Sequence, residues 1–192
     1  GEICDSFSTH NPRIKVIHQN NQGVSSARRN GLLSCNGKWV FFLDGDDQLT
    51  HTSLSTLVSF CEDNHLDVCI GGFDILTTKG IIRTKNKGGF TIIEKKDYIR
   101  GVAECKYMMA LWGKLYNRDI LLKANIIIDR CITNNEDYMY NLFLSPQLNR
   151  VGVLEQPIYI YNIIRDQRAS SNKCNDKYWK LFLGYLRQEA PK

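Results

Sequence analysis

"KWVFFLDGDDQLT", residues 38–50, sets an unbroken apolar run, Trp39 to Leu43, directly before three aspartates at 44, 46 and 47. Such a run reads as a strand buried on both faces, and the charge that follows marks the point where it leaves the core. Helical patterns flank it. Leu54, Leu57, Val58 and Cys61 recur at i, i+3, i+4 and i+7 in residues 52–64, one face of an amphipathic helix. Upstream, Ser25 or Ser26 is placed to cap a helix running to about Cys35, with Asn36-Gly37 as its stop. Apolar runs at 14–19 ("IKVIHQ") and 67–76 ("DVCIGGFDIL") complete a strand, helix, strand, helix, strand order. That order predicts an α/β fold with a mostly parallel sheet and flanking helices. Ligands of open α/β sheets bind beyond the carboxyl ends of the strands, so Asp44, Asp46 and Asp47 fall at the expected binding edge.

The second half is less regular. "GIIRT" (80–84) and "FTII" (90–93) flank "KNKGG" like a hairpin, and helices are expected at 95–105, 118–124, 136–145 and 176–187. With 192 residues, 43% hydrophobic and 23% charged, the chain is long enough for one domain with its own core. The net charge of +5 is scattered, not gathered into a basic block interleaved with aromatics. It fits phosphate-bearing ligands and gives no basis for a nucleic-acid interface. Seven cysteines, odd in number and without a C-x-x-C pair, read as free thiols in a reducing compartment. The four histidines share no ligand spacing, which argues against a histidine-based zinc site.

Two aspartates on a turn suit a hard divalent cation, Mg²⁺ or Mn²⁺, which takes one or two carboxylates and completes its shell with water and phosphate oxygens. The competing reading is an Asp- and Gly-rich turn that only caps the next helix. A calcium-binding EF-hand is excluded, because Leu49 and Ser55 stand where its loop needs glycine and glutamate. A phosphatase of the haloacid dehalogenase type, with Asp44 as nucleophile, stays open as an alternative, although Gln48 departs from its pattern.

Longer stretches carry a family resemblance. "NQGVSSARRNGLLSCNGKWVFFLDGDD" (21–47) resembles the inverting glycosyltransferases of family 2, whose N-x-G-x-[SA]-x-A-R-N-x-G leads through a helix to L-D-x-D-D. "LWGKLYNRDIL" (111–121) and "NNEDYMYN" (134–141) are similar to that family's W-x-K-L-Y segment and E-D helix start. Arg29 departs from the pattern, standing where asparagine is usual.

The resemblance implies a GT-A fold in a single domain over 1–192. Residues 1–94 would bind the nucleotide-sugar, 95–165 would form the acceptor side, and 166–192 would be a C-terminal loop and helix. It makes Asp44 and Asp46 the pair that holds Mn²⁺ or Mg²⁺ and the donor, with Asp47 supporting the loop or the metal's waters. Asp137 becomes the catalytic base and Glu136 the acceptor positioner, although acids in a first helical turn also simply complement the helix dipole. Arg28, Lys114 and Arg168, the last with Arg165, are expected on the donor. Trp112 is expected as an acceptor platform, with a core tryptophan as the alternative. The implied partners are a nucleotide-sugar, a UDP-sugar first, and a saccharide or lipid-linked acceptor. The implied place is the cytoplasm or the inner face of the membrane, compatible with peripheral membrane association and a homo-oligomer. A sugar-nucleotide-binding remnant without catalysis is the non-enzymatic alternative. The family begins with a strand, a helix and a second strand ending in D-G-S-T-D. "GEICDSF" reads as the helix after that piece, so a truncated sheet is expected, with Ile14, Val16, Val40 and Phe42 lacking strand neighbours.

Overall fold

A computed structural model describes residues 1–84, 89–104, 109–130, 132, 134–164 and 183–184. The helices are α1 (Glu2–His10), α2 (Val24–Ser34), α3 (Ser53–Asp63), α4 (Lys95–Ala103), α5 (Arg118–Ala124) and α6 (Glu136–Leu144), with a 3₁₀ turn at Ser145–Gln147. The strands are β1 (Trp39–Phe41), β2 (Gln48–Leu49), β3 (Val68–Thr77), β4 (Gly80–Ile82), β5 (Phe90–Glu94), β6 (Lys114–Asn117) and β7 (Arg150–Asn162). None of these helices is long and apolar enough to cross a membrane.

The strands form one sheet in the order β1-β6-β3-β7-β2, with β4 on the end of β3 and β5 along the first half of β7. Only β3 and β7 pair as parallel strands; every other described strand pairing is antiparallel, and a single parallel bridge joins Phe42 to Trp112. The expectation of a mostly parallel sheet is therefore corrected to a mixed sheet. β1 and β3 do run the same way, but β6 inserts between them, antiparallel to both. Its four residues include a lysine, which hides a core strand from a pattern search. β7 is hidden by Glu155, Gln156 and Pro157 in its middle. The expected hairpin is also corrected, since β4 pairs with β3 and β5 with β7.

The run at 14–19 forms no strand, and Ile14 and Ile17 are exposed. Val40 and Phe42 have partners on one side only, Val40 pairing with Tyr116 and Phe42 bridging to Trp112, and β1 is an edge of the described sheet. Cys4, Cys35, Cys61 and Cys69 are free thiols.

Side chains alternate across the sheet, so successive residues feed two cores. Val40, Val68, Ile70 and Tyr116 pack on one face, toward α2, α4, α5 and α6. Cys69, Leu115, Leu154 and Ile158 pack on the other, with Leu57 and Cys61 of α3. The expected helical face of residues 52–64 is this α3 surface, except that Leu54 is exposed.

The register of β3 against β7 shifts at Gly71 and Gly72, where Leu154 pairs with Gly71 and Pro157 with Gly72. Glu155 and Gln156 form the extra segment of a bulge, which accommodates a proline inside a long strand. A Cβ on Gly72 would lie 2.4 Å from the Glu155 carbonyl oxygen, so only glycine fits beneath the bulge. Gly72→Ala should lower the unfolding free energy by about 1–3 kcal/mol, the range for overpacking a close contact, as read from urea denaturation.

Candidate active site

The acidic loop begins where β1 ends and crosses the sheet to β2 at its opposite side. The Asp47 amide donates to the Asp44 carbonyl (3.1 Å), closing a turn over Gly45 and Asp46. Asp47 points away from solvent towards β7. Its Oδ2 accepts from the Tyr159 hydroxyl (2.6 Å) and its Oδ1 from the Asn162 amide (2.7 Å), while the Asn162 side chain donates to the Asp46 carbonyl (3.0 Å). Asp47 is thus a brace. Burial raises its pKa above the usual carboxylate value, against the two hydrogen bonds it accepts. Asp46 is exposed at the tip, and Asp44 is partly open.

Arg28 gathers the remaining acids. It lies in α2, whose N-terminus is set by Gly23 at φ +85°, a conformation that favours glycine. Neither Ser25 nor Ser26 occupies the cap position expected of them; Gly23 does, with no side-chain cap bond. One Arg28 nitrogen, Nη1, donates to Asp137 Oδ1 (2.5 Å) and lies 3.6 Å from Glu136 Oε1, and Nη2 donates to Asp44 Oδ1 (3.2 Å). Burial works against the guanidinium charge, but Asp137, Asp44 and Glu136 outweigh it and hold the pKa above its ordinary value.

Asn135 stands at the N-cap of α6 in the left-handed region (φ 59°), which asparagine tolerates, so the chain turns sharply into Glu136 and Asp137. Its side chain makes no cap bond there. The Asp137 carboxylate is held on its second oxygen too, where Oδ2 accepts from the Leu111 amide (3.1 Å). Burial first, and the Asp137 charge second, raise the pKa of Glu136. A cavity of about 110 Å³ opens beside this pair, between Ser25 and Arg28 of α2, Glu136 and Tyr140 of α6, and a wall of Ile126, Ile127 and Ile128.

One expected ligand residue lies elsewhere, and another packs on aromatic rings. Lys114 is fully buried beneath the cleft, its ammonium donating to the Ala110 carbonyl and to Asn141 Oδ1 (3.2 Å). That corrects its expected place on the donor: a core strand carries it inward. Trp112 is half-buried and stacks on Tyr159 (4.7 Å, 14°) and Tyr161 (5.1 Å, 17°), with Phe73 edge-on. Arg165 and Arg168 lie outside the described residues. The pattern also overlooked Tyr159, Asn162 and Asn141, which sit in or beside apolar runs. Asn141 had one visible signal, its place one helical turn after Asp137 on the face that ends in Leu144.

The fold and this acidic cleft define a GT-A glycosyltransferase domain. Residues 1–138 match the family described as Glycosyl transferase family 2, and the chain belongs to that family. It is 32% identical over 166 residues to the uncharacterized glycosyltransferase EpsJ of Bacillus subtilis, covering 84% of this chain and 48% of that protein. The chain thus spans about half the length of the curated relative it matches. Among solved structures, S. aureus TarS 1–349 in complex with UDP-GlcNAc superimposes with TM-score 0.70 at 19% identity, over 86% of this chain and 46% of that one. GalNAc-T7 with UDP, GalNAc and Mn²⁺ gives TM-score 0.62 at 12% identity, over 86% and 35%. Family and fold together set aside the phosphatase alternative for Asp44.

Burial lowers the Lys114 pKa to about 7, against the attraction of Asp137. A depressed folded-state pKa places a stability contribution above the unfolded value and removes it as pH falls through the folded value. The unfolding free energy should therefore rise from pH 7 to 9, on the order of 1 kcal/mol per pH unit. Tyr98 and Tyr116 titrate above this window, whereas towards pH 9 ionisation of Cys61 in the unfolded chain works against the rise, so the slope is read between pH 7 and 8. Lys114→Met should flatten the rise, as measured by denaturation at each pH.

Proposed function

We propose that the chain carries the catalytic centre of an inverting, metal-dependent glycosyltransferase. It moves a sugar from a nucleoside-diphosphate donor, a UDP-sugar first, to a hydroxyl of a saccharide or lipid-linked acceptor in cell-surface polysaccharide or glycolipid synthesis. One observation carries this reading: a single guanidinium, Arg28, joins Asp44 of the acidic loop to Glu136 and Asp137. The donor's phosphate end and the base for the acceptor thereby share one cleft. The UDP-GlcNAc complex of TarS and the UDP, GalNAc and Mn²⁺ complex of GalNAc-T7 support a nucleotide-sugar and a divalent ion.

Among the described residues no group of three or more His, Cys, Asp and Glu side chains could hold a metal ion. The donor set is instead the two-carboxylate kind, with Asp46 exposed and Asp44 partly open, which fits Mn²⁺ or Mg²⁺ completed by water and phosphate oxygens. When bound, such an ion neutralises charge on the departing diphosphate. Asp47 keeps the loop in place through β7.

On the acceptor side, Asp137 takes the hydroxyl proton as the acceptor oxygen bonds to the anomeric carbon. The carbon–oxygen bond to the diphosphate breaks on the opposite face, and the diphosphate leaves with the electron pair. No covalent enzyme intermediate forms. Glu136, beside Arg28 at the cavity mouth, orients the acceptor through a hydrogen bond to one of its hydroxyls. The apolar C–H face of a sugar ring fits the isoleucine wall. Arg28 stays charged throughout and keeps the acids together.

Incubation with Mn²⁺ and UDP-, GDP- and dTDP-sugars, with simple saccharide acceptors, should release nucleoside diphosphate from at least one donor, and Asp46→Ala should abolish Mn²⁺-dependent donor binding. Absence of binding and release across the panel would refute the reading. Asp137→Asn should leave donor affinity unchanged while lowering kcat by about 10² to 10⁴, the reach of general-base catalysis. A parallel fall in affinity, measured by calorimetry, would make Asp137 a binding group instead.

A further inference from the structure

Among the described residues the fully or nearly buried polar side chains are Ser53, Lys114, Asn141 and Ser145. Two of the four, Lys114 and Asn141, touch each other directly beneath Asp137. Asn141 Oδ1 accepts from the hydroxyls of Tyr98 (2.8 Å) and Tyr116 (3.3 Å) and from Lys114 Nζ (3.2 Å). The two protons of its Nδ2 go to the carbonyls of Met109 (2.7 Å) and Asp137 (2.9 Å), with the Ala110 carbonyl a longer, shared acceptor (3.3 Å). Chemistry sets the amide's orientation, because a flipped side chain would face donors with donors and carbonyls with a carbonyl. Lys114 adds a bond to the Ala110 carbonyl, and the single Tyr116 hydroxyl proton is shared between Asn141 Oδ1 and the Leu111 carbonyl (3.4 Å).

The backbone contacts of this cluster fall on two places, residues 109–111 and the first turn of α6. Those places meet at Asp137, whose Oδ2 accepts from the Leu111 amide. A buried polar cluster stabilises no more than apolar packing of the same volume, and α6 elsewhere buries Met139 and Leu144. Stability alone does not call for it at this position.

We propose that Asn141 and Lys114 are positioning residues for the glycosyl transfer. They lock residues 109–111 against the start of α6, so that the Leu111 amide and Arg28 together fix the direction in which the Asp137 carboxylate meets the acceptor hydroxyl. The inference rests on Asp137 as the base, and it adds the device that aims it. Asn141 touches no substrate; it acts through Asp137.

The test uses the full chain, with nucleoside-diphosphate release from whichever donor turns over in the panel. Asn141→Ser should lower kcat by about 10- to 100-fold, the scale of a misplacement on the order of 1 Å, while donor KM and calorimetric donor affinity stay unchanged. Tyr98→Phe, which keeps the volume and removes one donor to Oδ1, should lower kcat by less and keep the wild-type melting temperature. In an Asp137→Asn background, adding Asn141→Ser should lower kcat no further. A purely structural role predicts the opposite: a lower melting temperature, unchanged kcat per folded molecule, and effects that multiply in the double variant. Should Asn141→Ser fail to fold, Tyr98→Phe and its combination with Asp137→Asn decide the matter alone. Wild-type kcat in both single variants, or multiplicative effects in the double variant, would overturn the proposal while leaving Asp137 as the base. An Asp137→Asn variant with wild-type kcat would instead remove the base and this inference with it.

Discussion

The site depends on a single cation. Asp44, Glu136 and Asp137 come from a loop and from a helix start that lie 92 residues or more apart in sequence, and each approaches Arg28 within 3.6 Å. Two unit charges 4 Å apart repel by about 4 kcal/mol at an effective dielectric near 20. Three carboxylates would not converge in a half-buried cleft without a shared counter-charge. The guanidinium's planar fork lets one side chain serve them through two nitrogens, which a lysine's point charge would not do in the same geometry. Burial first and the Asp137 charge second raise the pKa of Glu136, since one cation does not neutralise three acids.

β7 supports the opposite side of the loop. It pairs with β3, β5 and β2, supplies Val151, Leu154 and Ile158 to the two cores, and extends Tyr159 and Asn162 to the loop. The Tyr159 ring also carries the indole of Trp112, so the acidic loop and the Trp112 segment rest on one phenol. The bulge at Glu155–Gln156 shifts the register of β7 before Tyr159 is reached, and so sets which side chains of its second half face the loop. The fit of the bulge over Gly72 is therefore a condition of the site as well as of the sheet.

Much of the fold was legible in the residues, because local pattern and burial agree there. The apolar run before Asp44, the α3 face, and the spans of α4, α5 and α6 follow from periodicity, and α5 matched residue for residue. The acidic loop at a strand end followed from the same reasoning, and the glycosyltransferase family from the order of motifs along the chain. These features depend on neighbours within one or two turns of sequence, where the physics of alternation and capping acts directly.

Tertiary structure decided what depends on distant partners. A lysine reads as a surface residue until a core strand and a buried asparagine are found around it, as at Lys114. The family resemblance put Lys114 on the donor, and burial reversed it. The strand order was equally illegible, since β6 enters between β1 and β3 from more than forty residues beyond β3's start, and β7 hides a proline within its length. Sequence by itself marked the acids and cations that are candidates for the site. Only the folded chain decided that Asp47 turns inward as a brace, that Trp112 lies on tyrosines, and that Asn141 sits under Asp137. In each case the reason is the same: a polar or aromatic side chain takes its role from the partner that satisfies it, and those partners arrive from elsewhere in the chain.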